Sequence, residues 1–247
     1  SQKGILTSLH QRNLKTTSHY IRNMIVVDNM NRSDLEFLRS RNDVERVLAN
    51  PVIHLQLPKA EKLAREETGI EESLTTTGAL KVWTEFNVKG KGIVIAGQDT
   101  GVSWDHPALK SQYRGWNGQS ADHNFNWHDA IKSPLTSSSS SCGYNLQTPC
   151  DDSDHGTHTV GTVVGDDGNK NKIGMAPEAQ WIACRNMDAG NGQPSTYIDC
   201  FEFLLAPYAY GGNALSDGNP ALSPHVVNNS WGCPESEGCH GGEMLAV

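Results

Sequence analysis

Two short segments carry residues able to do acid–base chemistry together. Asp99, Thr100 and Gly101 close an apolar run, and His155, Gly156, Thr157 and His158 open a stretch with helical periodicity. A carboxylate at a strand end can orient an imidazole, and an imidazole so held can take a proton from a nucleophile; the pair would be two thirds of an Asp/His/nucleophile triad. An aspartate before Thr and Gly is, on its own, more often a turn former. His155 is the stronger candidate, because Gly156 and Thr157 leave room around the ring while Val160, Val163 and Val164 supply an apolar helical face. Nothing between His155 and Val247 reads as a nucleophile turn with a serine at its apex.

His155 and His158 lie three apart on a helix and could in principle ligate a metal. No glutamate stands in the spacing of the common zinc-peptidase motif, so metal is not expected here, and His158 is expected to pack against a backbone partner.

The elements that must position these residues follow from periodicity. Gly90, Lys91 and Gly92 turn the chain into a strand at Ile93 to Ala96, which delivers Asp99 to its C-terminal end, where open α/β sheets place their ligand sites. Further strands are expected at Trp181 to Cys184 and Val226 to Asn228. Between them Tyr197, Ile198, Phe201, Leu204 and Leu205 recur at helical spacing until Pro207 stops the run. Strands alternating with helices predict an α/β fold, a parallel sheet flanked by helices. The serine-rich stretch from Pro134 to Pro149 reads as a surface loop.

Residues 1–57 are organised differently. A helix is expected near Ile5 to Leu14, a strand from Tyr20 to Val27, and a second helix from Asp34 with Ser33 and Glu36 as its capping box. After Pro51, Ile53, Leu55 and Leu57 alternate with His54 and Gln56 as a half-buried strand. This is a small α+β module. Residues 58–78 form a connector, and residues 79–247 hold the parallel sheet.

Composition excludes several classes. A net charge of -8 removes nucleic acid and anionic membrane as partners, since both are bound through basic surface. No apolar run approaches the roughly 18 residues a membrane span needs. Six cysteines fall into couples, Cys142 with Cys150, Cys184 with Cys200 and Cys233 with Cys239. No couple has the short gap of a zinc hairpin, so disulfides are expected, sequential pairing being one of several connectivities. Disulfides imply an oxidising compartment and hence a secreted, extracellular chain.

Three segments carry a family resemblance: "VIAGQDTGVSWDHPAL" with Asp99, "HGTHTVGTVVG" with His155, and "VVNNSWG" ending at Gly232. In this order they resemble the subtilisin-like serine proteases, the subtilase family. The stretches "HPALKSQYRGWN", "DHNFNWHDA" and "APEAQWIACRNM" are similar to its secreted, bacillopeptidase F type. The resemblance implies an incomplete subtilisin-like domain over residues 79–247, preceded by an inhibitory prodomain at 1–57. It implies that Asp99 orients His155, that His155 is general base and then general acid, and that Ser230, Trp231 and Gly232 are substrate-binding, as an extended strand pairing with the backbone of a peptide or protein substrate.

The departures matter equally. The family's serine and oxyanion asparagine follow the substrate strand, and neither pattern occurs before Val247; Ala189, Gly190 and Asn191 precede that strand, and Ser230 belongs to the cleft wall. The expectation is therefore a serine endopeptidase whose Ser and oxyanion Asn reside on a second polypeptide. The alternative is a catalytically incomplete fragment acting as a binding or inhibitory module. No cofactor is required. Calcium is an open question, because Ala108 occupies the family's acidic position after His106 and Pro107, while Asp166 and Asp167 offer carboxylates in a loop.

Overall fold

In a computed structural model, residues 2–55, 69–137, 140–169 and 171–232 are described. The chain opens with helix α1 (Lys3–Gln11), the hairpin β1 (Thr16–His19) and β2 (Met24–Val27), helix α2 (Arg32–Arg39) and the short strand β3 (Ile53–His54). The single strand expected from Tyr20 to Val27 is thus the second arm of a hairpin. The turn reverses at Asn23, whose φ of 49° is one that asparagine tolerates better than most residues. The capping box of α2 also differs from expectation. Asn31, not Ser33, is the N-cap: its side chain accepts from the Asp34 amide and Asp34 accepts from the Asn31 amide, both at 3.1 Å. Glu36, one turn further along, pairs instead with Arg32 on the solvent side.

Helices α3 (Glu72–Thr76) and α4 (Ala79–Glu85) follow, so part of the expected connector is helical. Strand β4 (Val94–Asp99) leads to β5 (Trp127–Asp129), helix α5 (His155–Val164), β6 (Gln180–Arg185), the hairpin β7 (Met187–Asp188) and β8 (Asn191–Gly192), helix α6 (Pro194–Leu205), and β9 (Val226–Asn228). Helix α6 begins at Pro194, whose missing N–H would be unpaired there anyway, and ends just before Pro207.

Strands β5, β6, β4 and β9 form a parallel sheet in that order. Side chains alternate across it. Ile95, Trp181 and Ala183 pack on one face against Val160 and Val164 of α5, whereas Ala96, Ile182 and Cys184 pack on the other against Cys200, Phe203 and Leu204 of α6. Both faces being covered, β4 and β6 read as nearly unbroken apolar runs. Each large side chain so buried contributes about 1.5–3 kcal/mol. The expected α/β class, a parallel sheet flanked by helices, is the class observed.

Disulfides join Cys142 to Cys150 and Cys184 to Cys200. Cys233 and Cys239 lie outside the described residues, as do Gln56, Leu57 and residues 58–68 of the connector. The second bridge ties β6 to α6 inside the core, both sulfurs being buried.

Candidate active site

Strand β4 ends on Asp99 and helix α5 begins on His155, and the crossing of the two elements creates the site. The His155 Nδ1 lies 2.7 Å from the Asp99 Oδ1. Asp99 is almost wholly buried, and the His155 side chain keeps 15% exposure. The Asp99 carboxylate also accepts from the Thr100 amide at 2.7 Å and from the Thr159 hydroxyl at 3.3 Å. Burial pushes the Asp99 carboxyl above the usual carboxylate range, against the downward pull of the His155 hydrogen bond and the Thr100 amide. The Nε2 of His155 has no hydrogen-bond partner among the described residues, so the ring's second nitrogen is the one left to exchange a proton.

One glycine lets strand and helix approach so closely, and a second lets the chain after β4 approach Cys150. A Cβ on Gly156 would lie 2.0 Å from the Gly101 carbonyl oxygen, and one on Gly101, which adopts a φ of 113°, would lie 1.8 Å from the Cys150 carbonyl oxygen. Gly156 is therefore a steric requirement of the strand–helix contact, and Gly101 of the neighbouring contact with Cys150.

The start of α5 is capped without its own N-cap side chain, since Asp154 adopts a left-handed φ of 61° and makes no cap bond. Its orphan amides find partners elsewhere: the Thr157 N–H donates to Asp151 at 2.7 Å and the Gly156 N–H to the Thr100 hydroxyl at 3.0 Å. Asp151 escaped the sequence reading. Its only signal was a position four residues before His155, inside a run of polar loop residues.

Ser230, Trp231 and Gly232 lie past the last paired residue of β9, Asn228, so they extend the strand without belonging to it. The Trp231 indole N–H donates to the Gln98 carbonyl at 2.8 Å, and its ring stacks on Tyr197 with centroids 4.0 Å apart. This fixes the segment beside the residue that precedes Asp99. The structure thus brings Trp231 against the strand that ends on Asp99.

A second feature lies at Ala189, Gly190 and Asn191, the residues that precede the Ser230 to Gly232 strand in the sequence. Ala189 and Gly190, both with positive φ, reverse the chain between β7 and β8. Strand β3 adds to that hairpin antiparallel, Ile53 opposite Gly192 and His54 opposite Asn191, and the Leu55 N–H donates to the Gly190 carbonyl at 2.8 Å. Ile53 and Leu55 then pack with Met187, Tyr197 and Trp231. An extended peptide already occupies this edge.

His158 is exposed, contrary to the packed position expected of it, because the buried face of α5 runs through Gly156, Thr159, Val160 and Val164. The Asp166 carboxylate is engaged by Lys172 at 2.8 Å, and Asp167 accepts from the Asn169 and Asn171 amides. Among the described residues no cluster of three or more His, Cys, Asp or Glu is arranged to hold a metal ion. No described helix is long and apolar enough to cross a membrane.

Comparison with known proteins supplies the family. Bacillopeptidase F of Bacillus subtilis (strain 168) is 33% identical over 247 residues, covering 94% of this chain and 16% of that protein. The major intracellular serine protease of the same organism is 32% identical over 123 residues, covering 50% of this chain and 32% of that protein. The chain therefore spans a minor part of the length of these curated relatives. Fervidolysin from Fervidobacterium pennivorans, described as a keratinolytic enzyme related to subtilisin, superposes with a TM-score of 0.53 at 15% identity, over 94% of this chain and 34% of that one. The epidermin leader peptide processing serine protease of Staphylococcus aureus does so at 0.53 and 15%, over 78% and 43%. At that identity these two speak for the fold alone. Residues 90–244, well over half of the chain, match the model of the subtilase family (peptidase S8), and the chain belongs to that family.

Proposed function

We propose that this chain supplies the acid–base half and the substrate edge of a subtilisin-type serine endopeptidase. The observation that carries the reading is the 2.7 Å contact from His155 Nδ1 to a buried Asp99, with Nε2 left unpartnered among the described residues. In this reading the Asp99 carboxylate holds the ring in one tautomer and balances the imidazolium that forms. His155 Nε2 takes the proton of a serine hydroxyl as it attacks the peptide carbonyl, then returns that proton to the leaving amine. In this reading the serine and an oxyanion asparagine are supplied by residues other than these 247. The edge strand β9, where Val226 is 58% exposed, is consistent with further chain pairing beside it.

A peptide or protein substrate would lie extended between the β8 edge and Ser230, Trp231 and Gly232, bound mainly through its backbone. Residues 1–57 would act as a prodomain, 58–78 as its connector and 79–247 as part of the catalytic domain. Support comes from β3, which takes a place on the β8 edge as a substrate would. The same contact favours a second reading, in which a chain without its nucleophile serves as a binding or inhibitory module. Two disulfides favour an oxidising, extracellular location. The reading needs no cofactor, and calcium would find no ready cluster of carboxylates among the described residues.

The deciding experiment is intact mass spectrometry of the purified protein, denatured and reduced, before and after a fluorophosphonate that tags only activated serines. The expected result is one adduct, on a serine outside residues 1–247, lost in a His155→Ala variant. An unlabelled preparation containing this chain alone would overturn the protease reading and leave the binding module.

A further inference from the structure

Cys150 to Ser153 carries two consecutive carboxylates that the acid–base reading does not use, and they face opposite ways. Asp152 is held by the Arg185 guanidinium and accepts from the Ser140 hydroxyl at 2.6 Å, the Asp152 and Arg185 side chains having no exposure at all. Arg185 donates as well to the Gly143 carbonyl at 2.9 Å and the Met187 carbonyl at 3.2 Å, and lies 3.4 Å from Asp129. The Cys142–Cys150 bridge fastens the start of the segment to the same loop. One side of Cys150 to Ser153 is therefore bolted to the end of β6.

Asp151 faces the other way. Its Oδ1 accepts from the Thr100 hydroxyl at 2.8 Å, and its Oδ2 accepts from the Thr157 amide at 2.7 Å and the Thr157 hydroxyl at 2.6 Å. Thr100 is the residue after Asp99, and Thr157 lies two residues past His155. Each hydroxyl is used in both senses: Thr100 also accepts from the Gly156 amide, and Thr157 from the Ser103 amide, each at 3.0 Å. A single carboxylate thus bridges the end of β4 to the start of α5, beside the contact those two elements exist to make.

Resting on the reading of Asp99 and His155 as an acid–base pair, we propose that Asp151 is its positioning residue, held in place by Arg185 and the Cys142–Cys150 bridge. It touches neither reacting group. It closes a ring of hydrogen bonds that fixes how far α5 stands from β4 and how its first turn is rotated. With Asp151 removed, the Thr157 amide loses its acceptor at a helix start whose own N-cap residue, Asp154, offers none, and the imidazole is free to pivot. A displacement of about 1 Å at such a pair costs on the order of 100-fold in rate.

The test uses the full-length protein with Asp151→Ala, Thr157→Val and Asp99→Asn variants, each checked for folding by circular dichroism. Two readouts are taken: the proton NMR resonance of the His155 Nδ1–H, which needs no turnover, and kcat and KM on a peptide substrate. Asp151→Ala is expected to lower kcat about 100-fold with KM within about twofold, and to broaden the Nδ1–H resonance through faster exchange with water. Thr157→Val, which keeps the backbone bond, is expected to show a smaller effect of the same kind. An Asp151→Ala protein with wild-type resonance and kcat, alongside an Asp99→Asn protein that has lost both, overturns the positioning role alone. An Asp99→Asn protein that keeps both overturns the underlying pair. Should Asp151→Ala fail to fold, Thr157→Val decides: an unchanged resonance there also overturns the proposal.

Discussion

Asp99 is a buried carboxylate whose native environment raises its pKa, chiefly by burial. The sign of the linkage follows. A carboxyl that binds its proton more tightly when folded favours folding at low pH, and that gain is lost as pH rises through the raised value. At neutral pH the ionised group is therefore a cost to the fold, tolerated for what it does to His155. Asp99→Asn is expected to melt at the same or a higher temperature than wild type at pH 7, with the difference shrinking as pH falls toward the ordinary carboxylate range near about 4. Its kcat is expected to fall by about 10⁴-fold. Thermal melts across that pH range check the first statement; an Asn variant much less stable at pH 7 would contradict it.

At the scale of elements, the β4–α5 crossing is where sequence spacing became geometry. Gly156→Ala would drive a methyl into the Gly101 carbonyl, so about 1–3 kcal/mol or more of stability should be lost in urea unfolding, together with the Asp99–His155 contact. An Ala variant as stable as wild type would show that the crossing has slack. Strand β4, helix α5 and helix α6 were legible because each is a periodic run with its own punctuation, such as Pro207 after α6. His155 was legible because it stands beside Gly156, the glycine the crossing requires, and Asp99 because a Thr-Gly turn follows it where the apolar run ends. The β1–β2 hairpin was missed because its turn, Tyr20 to Asn23, carries apolar Ile21 inside a run that reads as one strand. The N-cap of α2 was misplaced by two residues because Asn31, Ser33 and Asp34 all have capping chemistry, and only tertiary geometry selects among them. Asp151 was not legible at all: its partners are 51 and 6 residues away, on two elements whose meeting no local pattern announces.

For the whole molecule, the N-terminal module is joined to the sheet domain by a buried polar contact as well as by β3. Glu202, on α6, accepts from the backbone amides of Tyr20 and Ile21 and lies 2.9 Å from the His19 Nδ1, with both His19 and Glu202 side chains almost wholly buried. Glu202→Ala would strand those donors, and the loss is expected at about 3–5 kcal/mol. It should appear as protease sensitivity of residues 2–55 while the sheet domain stays intact; an unchanged digestion pattern would place the docking energy in β3 instead.

The β3 pairing has a further consequence for anything that would bind the hairpin. A strand covalently linked to its own binding edge acts at an effective concentration of about a millimolar, whatever the dilution of the protein. A free peptide of equal intrinsic affinity reaches parity only near that concentration. Dilution cannot expose the edge, and a competitor cannot easily empty it; cutting the chain between β3 and the sheet domain, followed by undocking at Glu202, would turn a permanent occupant into one that leaves.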